Sequence, residues 1–383
     1  MIPLSVPFID GNEWKYVKQC LDTGWISSSG SYVNKFEQNI ADFVGAKYGI
    51  ACMNGTSGLH ISQLVLGVKN SDCVIVPNLT FVATLNSIKY TGATPILIDA
   101  KQDTWQMDLE LLEKFLQEET EIRRSNNNFY SFKKSDGKRI YAIIPVHVLG
   151  NIGDMKRLIQ IAKKYHLSII EDSAESLGSY YINKHSGTFG KIGVFSFNGN
   201  KIISTGGGGV IVTDDKGIYN EAKHLANTAK VNEQFYIHDK VGYNYRLVNV
   251  LAAIGLAQLE IFPKILKRKK QINSFYRESL KDVGDIEFQH ILGDTDANCW
   301  LFTFKTSKME FLLKYLNNNG IESRPFWTPM NQLKMFKKEL FISENNESSK
   351  LHKTCISIPS SAGISDNQMI KVVETIKNFY DSI

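Results

Sequence analysis

From residue 47 onward the chain alternates two hydrophobic periods. Short apolar, β-branched runs, YGIACM (48–53), CVIVP (73–77), TPILIDA (94–100), YAIIPVHV (141–148) and LSIIED (167–172), predict buried strands. Between them, SGLHISQLVLGV (57–68), FVATLNSIKYTG (81–92), LELLEKFLQEE (109–119) and DMKRLIQIAKKYH (154–166) repeat apolar residues at helical spacing. Strand, helix, strand in that order predicts an α/β fold whose mostly parallel sheet is covered on both faces. Such sheets collect ligands beyond the carboxyl ends of their strands.

Two further runs, VFSF (194–197) and GVIVTDD (209–215), predict a strand pair. The segment 118–140 is polar and shows neither period, so it reads as an exposed insertion. One long helical pattern covers 247–280, and beyond it the chain reads as a smaller α+β unit with strands in NCWLFTFKTS (298–307) and CISIP (355–359). The predicted division is a large domain, 1–270, and a small C-terminal domain, 271–383.

Composition narrows the class. With 383 residues, 43% hydrophobic and 22% charged, the chain can bury a sizeable core. Its net charge of +5 is spread along the sequence and makes no case for nucleic acid. The densest basic run, KILKRKKQ (264–271), reads as a solvated helix face; the sharper alternative is that it draws in an anionic substrate. Five cysteines, odd in number and without a CxxC pair, argue against a disulfide framework and against a zinc site, so no metal is expected. The first residues lack a targeting pattern and no apolar run is long enough to span a bilayer, which predicts a cytoplasmic protein without membrane contact.

Four features carry candidate chemistry. In FSFNGNKIISTGGGG (195–209) a single lysine, Lys201, precedes the glycines, so the run is not a phosphate loop of the GxxxxGK[ST] kind. In IIEDSAESLGSYY (169–181) a buried strand ends on Glu171 and Asp172; a helix cap is one reading of Asp172, and a cation in the ligand crevice is the other. MNGTSGLH (53–60) opens a helix with free N–H groups and the Thr56 and Ser57 hydroxyls, a suitable cradle for a phosphate. PNLTFVAT (77–84) delivers Phe81 to the same sheet edge, as a core residue or as a plate for a flat ring. Together they match the needs of pyridoxal 5′-phosphate (PLP): phosphate anchorage, ring stacking, a carboxylate for the pyridine nitrogen and an amine for a Schiff base. Lys201 would be the covalent anchor and, once released, the base.

The ordered blocks NGTSGLH, EDSAESLG, FSFNGNKIISTGGGGVIVTDD and HDKVGYNYRLVNVLAAIGLAQL, with GWISSSGSYVNKFE near the start and GIESRPFWTPM and SIPSSAGISD near the end, resemble the DegT/DnrJ/StrS family of sugar-nucleotide aminotransferases. The resemblance implies an aspartate-aminotransferase-like, fold-type I large domain and a homodimer with shared active sites. It implies that Asp172 partners the pyridine nitrogen, that Glu175 lies near the ring hydroxyl where many relatives carry glutamine or histidine, and that Thr56, Ser57 and Ser196 bind the phosphate. Asn244 matches the residue that reaches the phosphate from the neighbouring subunit, with Arg246 as its helper. Lys201 stands where some relatives carry histidine and dehydrate the sugar, so a lysine implies transamination from glutamate to a nucleotide-linked keto sugar.

Within the family the blocks are most similar to the legionaminic-acid and bacillosamine branch, which implies amination at C4 of a UDP-linked 4-keto-6-deoxy-N-acetylhexosamine. The alternatives are a C3-aminotransferase on a TDP sugar, GDP-perosamine formation and, in a different class, a non-catalytic sensor of PLP or sugar nucleotide. Trp25, Ser28, His147 and Arg324 complete the candidate substrate-facing set; His147 has an alternative structural reading, and Arg324 could instead form a salt bridge.

Overall fold

The computed structural model describes residues 1–125, 128–232 and 234–382. Its main sheet has ten strands: β1 (Tyr48–Cys52), β2 (Cys73–Pro77), β3 (Thr94–Ile98), β4 (Thr120–Ser125), β5 (Asn128–Lys133), β6 (Arg139–Ile143), β7 (Ser168–Asp172), β8 (Ile192–Ser196), β9 (Gly209–Thr213) and β10 (Leu340–Ile342). The order across the sheet is β1-β9-β8-β7-β6-β2-β3-β10. From β8 to β10 every neighbour pair along this path is parallel, and β9 runs antiparallel to both β1 and β8. All five residues of β2 and of β9 are buried, as continuous apolar runs covered on both faces require. One face packs on Leu59, Ile61, Leu85 and Ile88 from the helices Gly55–Leu66 and Val82–Tyr90. The other packs on Leu112, Phe115, Leu158 and Ile161 from Leu109–Glu119 and Met155–Lys164.

Residues 118–140, read as an exposed insertion without period, hold two strands; 126 and 127 lie outside the described residues. β4 and β5 form an antiparallel hairpin that docks on β6 through Ser131↔Ile140 and Phe132↔Arg139. The sequence hides it because burial does not alternate along its strands: in β4 Thr120 is buried and 121–124 are exposed, and in β5 Ser131 is buried between half-buried Tyr130 and Phe132. Cross-strand contacts replace a core, with the Arg123 guanidinium 5.1 Å from the Phe132 ring centroid and that of Arg139 5.0 Å from the Tyr130 ring centroid.

The long helical pattern is two helices, Asn249–Glu260 and Phe262–Leu280, bent by 62° where Pro263 enters the first turn of the second. Among the described residues no single helix is long and apolar enough to cross a membrane. The second helix is a rigid rod shared by two cores. Phe262 and Ile265 pack with Phe36 and Phe197 of the large unit, while Ile272, Tyr276 and Leu280 join the small one. A cut at 270/271 therefore falls inside it. The small unit's four-stranded sheet runs Glu287–Phe288, Phe302–Lys305, Cys355–Ile358, Arg324–Pro325, and its core also takes in Ile2 from the start of the chain. In the opposite direction, β10 leaves the C-terminal region to join the large sheet. The basic run at 264–271 is only partly the solvated face expected: Lys264 and Lys270 pair with Asp10 and Asp296, but Lys269 is buried against the Ser360 carbonyl, and burial pulls its amine down to about 7.

Candidate active site

At the carboxyl edge of the sheet the chain after β1 turns into the helix Gly55–Leu66. Asn54 caps it: its Oδ1 accepts from the Ser57 amide at 2.8 Å, and the Ser57 hydroxyl donates back to the Asn54 carbonyl at 2.8 Å, a reciprocal cap stabilising the helix start by about 1 kcal/mol. Ser57 is thus spent on the cap and does not line the cavity beside it. The Gly55 and Thr56 amides, which as first-turn donors have no intrahelical acceptor, and the Thr56 side chain remain at the edge. Ser196, the last residue of β8, faces them; a Cβ at Gly55 would stand 3.0 Å from the Ser196 Cβ, so glycine lets the two segments close on each other. Helix dipole, amides and two hydroxyls make an anion cradle.

β7 ends on two carboxylates that point opposite ways, as alternate strand positions must. Asp172 lines the cavity, its Oδ2 accepting from Thr84 Oγ1 at 2.7 Å and its Oδ1 from the Ala174 amide at 3.2 Å. Both donors are neutral, and among the described residues no cation pairs with Asp172 within 4.0 Å; burial pushes its carboxyl up. Glu175, three residues on, accepts from the Leu149 amide at 2.8 Å, and burial pushes it up to about 7, against the opposing pull of Lys201. Lys201, in the loop after β8, places Nζ 3.5 Å from Glu175 Oε1 and 4.2 Å from the Trp300 ring centroid. Phe81, half exposed, caps the helix Val82–Tyr90 at the rim, with Trp327 6.5 Å away between ring centroids. The cavity measures about 310 Å³ and adjoins a cleft of about 410 Å³ lined by Phe81, Asn200, Trp300, Trp327 and Arg324.

Six predicted residues, Thr56, Phe81, Asp172, Glu175, Ser196 and Lys201, therefore share one cavity. The others lie elsewhere in this chain. His147 is buried and bonded through Nε2 to Glu171 at 3.0 Å, so it does not line the cavity. Arg324 reaches the neighbouring cleft, yet its guanidinium binds Glu322 at 2.9 Å. Trp25 and Arg246 line a separate hollow of about 670 Å³; Ser28 is half-buried near it, and Asn244 is exposed. Sequence reasoning missed Thr84, Trp300 and Trp327. Thr84 had a signal, since it lies three residues after Phe81, in the first turn of the helix that Phe81 precedes. The tryptophans come from beyond the large unit and had none.

A buried acid with neutral donors and an open side suits a cationic partner, and the donor set fits PLP: Gly55, Thr56 and Ser196 would hold its phosphate, Phe81 its ring and Asp172 a protonated ring nitrogen, and Lys201 would supply the amine for a Schiff base. Comparison with known proteins agrees. Residues 7–377 match the DegT/DnrJ/EryC1/StrS aminotransferase family. The chain belongs to this family. This aminotransferase is 37% identical to the GDP-perosamine synthase of Escherichia coli O157:H7, over 99% of its own length and 98% of the relative's. It is 35% identical to the GDP-perosamine synthase of Vibrio cholerae, with 100% of both chains covered. Its fold superposes on the crystal structure of a DegT/DnrJ/EryC1/StrS aminotransferase from Brucella abortus with a TM-score of 0.88 at 26% identity, covering 96% of this chain and 95% of that one. It is a PLP-dependent sugar aminotransferase of fold type I acting on nucleotide sugars.

Proposed function

We propose that this aminotransferase moves the amino group of glutamate to C4 of a nucleotide-linked 4-keto-6-deoxyhexose in the cytoplasm. The observation that carries the reading is Lys201 Nζ facing Glu175 in the cavity that also holds the underpaired Asp172. PLP, when bound, supplies the electron sink for breaking the Cα–H bond of the donor. Asp172 keeps a proton on the ring nitrogen, which maintains that sink. Lys201 would hold the cofactor through its amine and would serve as the base that moves the donor's proton. Thr56, Ser196 and the helix start would bind the phosphate, Phe81 would hold the ring flat, and Trp300 covers one side of the amine.

A homodimer completes the site in this reading, each chain lending Asn244, with Arg246 beside it, to the other. The exposure of Asn244 close to Phe235, Tyr236, Ile237 and Val241, all more than half exposed, supports it. Trp25 and Ser28 would then meet the substrate of the opposite cavity, and Arg324, freed from Glu322, the pyrophosphate in the adjoining cleft.

For the nucleotide, the two perosamine-forming relatives favour GDP, and the UDP-linked 4-keto-6-deoxy-N-acetylhexosamine is the second reading, favoured by the motif likeness of NGNKIISTGGGGVIVT and PVHVLGNIGDM to that branch. Incubating the protein with PLP, glutamate and a panel of 4-keto and 3-keto sugars on GDP, UDP and TDP, then identifying the product by NMR, decides among them. The expected product is a 4-amino-4,6-dideoxy sugar on GDP. Exclusive amination at C3 overturns the C4 assignment, and no 2-oxoglutarate with any acceptor points to a sensor.

A further inference from the structure

Glu175 is held in a way that a mere ring neighbour does not require. One oxygen, Oε2, is pinned by the Leu149 amide at 2.8 Å, and Leu149 reaches that position only in the left-handed region, at φ 61°. The Glu175 carbonyl is clamped by Asn298 Nδ2 at 2.8 Å, which grips the Leu177 carbonyl as well. The other carboxylate oxygen, Oε1, is left facing Lys201 Nζ at 3.5 Å, under the Trp300 ring. The charged groups around it are few. Asp172 lies in the same cavity, and His147, nearby, is engaged by Glu171. Burial raises the Glu175 carboxyl to about 7, Lys201 opposes that shift and Asp172 adds to it, so near neutrality the group can hold or release a proton.

On the reading of Lys201 as the covalent anchor, we propose that Glu175 is a catalytic proton partner of that lysine: Oε1 takes a proton from Nζ whenever the amine must act as nucleophile or base, and returns it afterwards. One N–H bond breaks at Nζ and one O–H bond forms at Oε1; nothing is oxidised and no co-reactant is consumed. The geometry favours it: among the described residues Oε1 is the ionisable acceptor nearest Nζ, at 3.5 Å, and the Trp300 ring covers one side of the amine at 4.2 Å. A glutamine in this place could accept the Leu149 hydrogen bond but could not carry a proton.

The test mixes cofactor-free protein with PLP and follows the visible absorbance of capture from mildly acidic to mildly alkaline pH. In the native protein the capture rate rises through about pH 7 as Glu175 ionises. In Glu175→Gln that inflection disappears and the rate at neutral pH falls by about 10²-fold. Pyridoxamine phosphate has no carbonyl to capture and so reports binding alone; its affinity falls far less in Glu175→Gln than the capture rate does. Native rate and profile in Glu175→Gln overturn the proposal, and so does a loss of pyridoxamine phosphate affinity as large as the loss in rate, which marks a structural role. Borohydride reduction and mapping separate the two layers: label on a residue other than Lys201 sinks the anchor reading and this one with it, whereas label on Lys201 with an unaltered Glu175→Gln rate sinks this one alone.

Discussion

The two faces of the end of β7 present adjacent carboxylates with opposite fates. On one face Glu171 is closed off: Oε2 accepts from the Gly187 amide at 2.8 Å and His147 Nε2 at 3.0 Å, and Oε1 from the Gly190 amide at 2.6 Å. On the other face Asp172 has a hydroxyl, one long amide contact and an open cavity. Equal burial with unequal pairing separates a strut from a tool. A buried charge whose lone pairs are filled by its own fold stabilises; one left short of a cation is strained until a ligand supplies it.

Each side of that contrast can be broken. Lys201→Ala, on the open side, is expected to abolish borohydride-trapped cofactor and to lower transamination by about 10⁴-fold; residual trapping would show that another amine serves. Asp172→Asn should lower turnover by about 10²- to 10³-fold while leaving melting temperature unchanged or raised, because a costly buried charge is removed. Near-native turnover there would contradict the role given to Asp172. Glu171→Gln should show the reverse, a loss of about 3 kcal/mol in denaturant unfolding with pyridoxamine phosphate affinity per folded molecule unaltered, since the new NH₂ would face an amide donor or the imidazole.

Glu175 sharpens the contrast through pH. Its folded value, about 7, lies above its ordinary 4.5, so the folded cofactor-free protein binds the extra proton between those limits. Its contribution to stability is therefore fully present below about pH 4.5 and is lost as pH rises toward 7. Melting curves of Glu175→Gln should lack that component. The smallest effect belongs to Thr84→Val, which removes one donor from Asp172 and should cost about 1 kcal/mol, read as a several-fold weaker turnover at unchanged fold.

Much of this was legible in the chain. β1, β2, β3 and β7 lie within the predicted apolar runs, because strands buried on both faces cannot hide in a polar pattern. Thr56, Phe81, Asp172, Ser196 and Lys201 converge because each follows or ends a segment at one sheet edge, and topology alone brings such positions together. The hairpin β4–β5 was not legible, because burial along its strands follows no two-residue alternation. Nor was the diversion of Ser57 into its cap, or of His147 toward Glu171, since a sequence gives a residue's strand position but not which of two polar neighbours its side chain will choose. Trp300 and Trp327 arrive from distant segments, where local pattern says nothing about long-range approach.

The lacing of the chain between the two cores has a mechanical consequence. Ile2 is hydrogen-bonded to Gly320 and Glu322 in the small unit, the rod Phe262–Leu280 spans both cores, and β10 with the Glu347 and Ser348 amides bonded to Asp99 ties the return path to the large sheet. With several covalent crossings the small unit can rock by small sliding steps but cannot swing away like a jaw on a single hinge. On the proposed placement of the sugar nucleotide beside Arg324, the cleft there should change its width little, and trimming the first few residues should slacken its Arg324 wall before it disturbs Lys201.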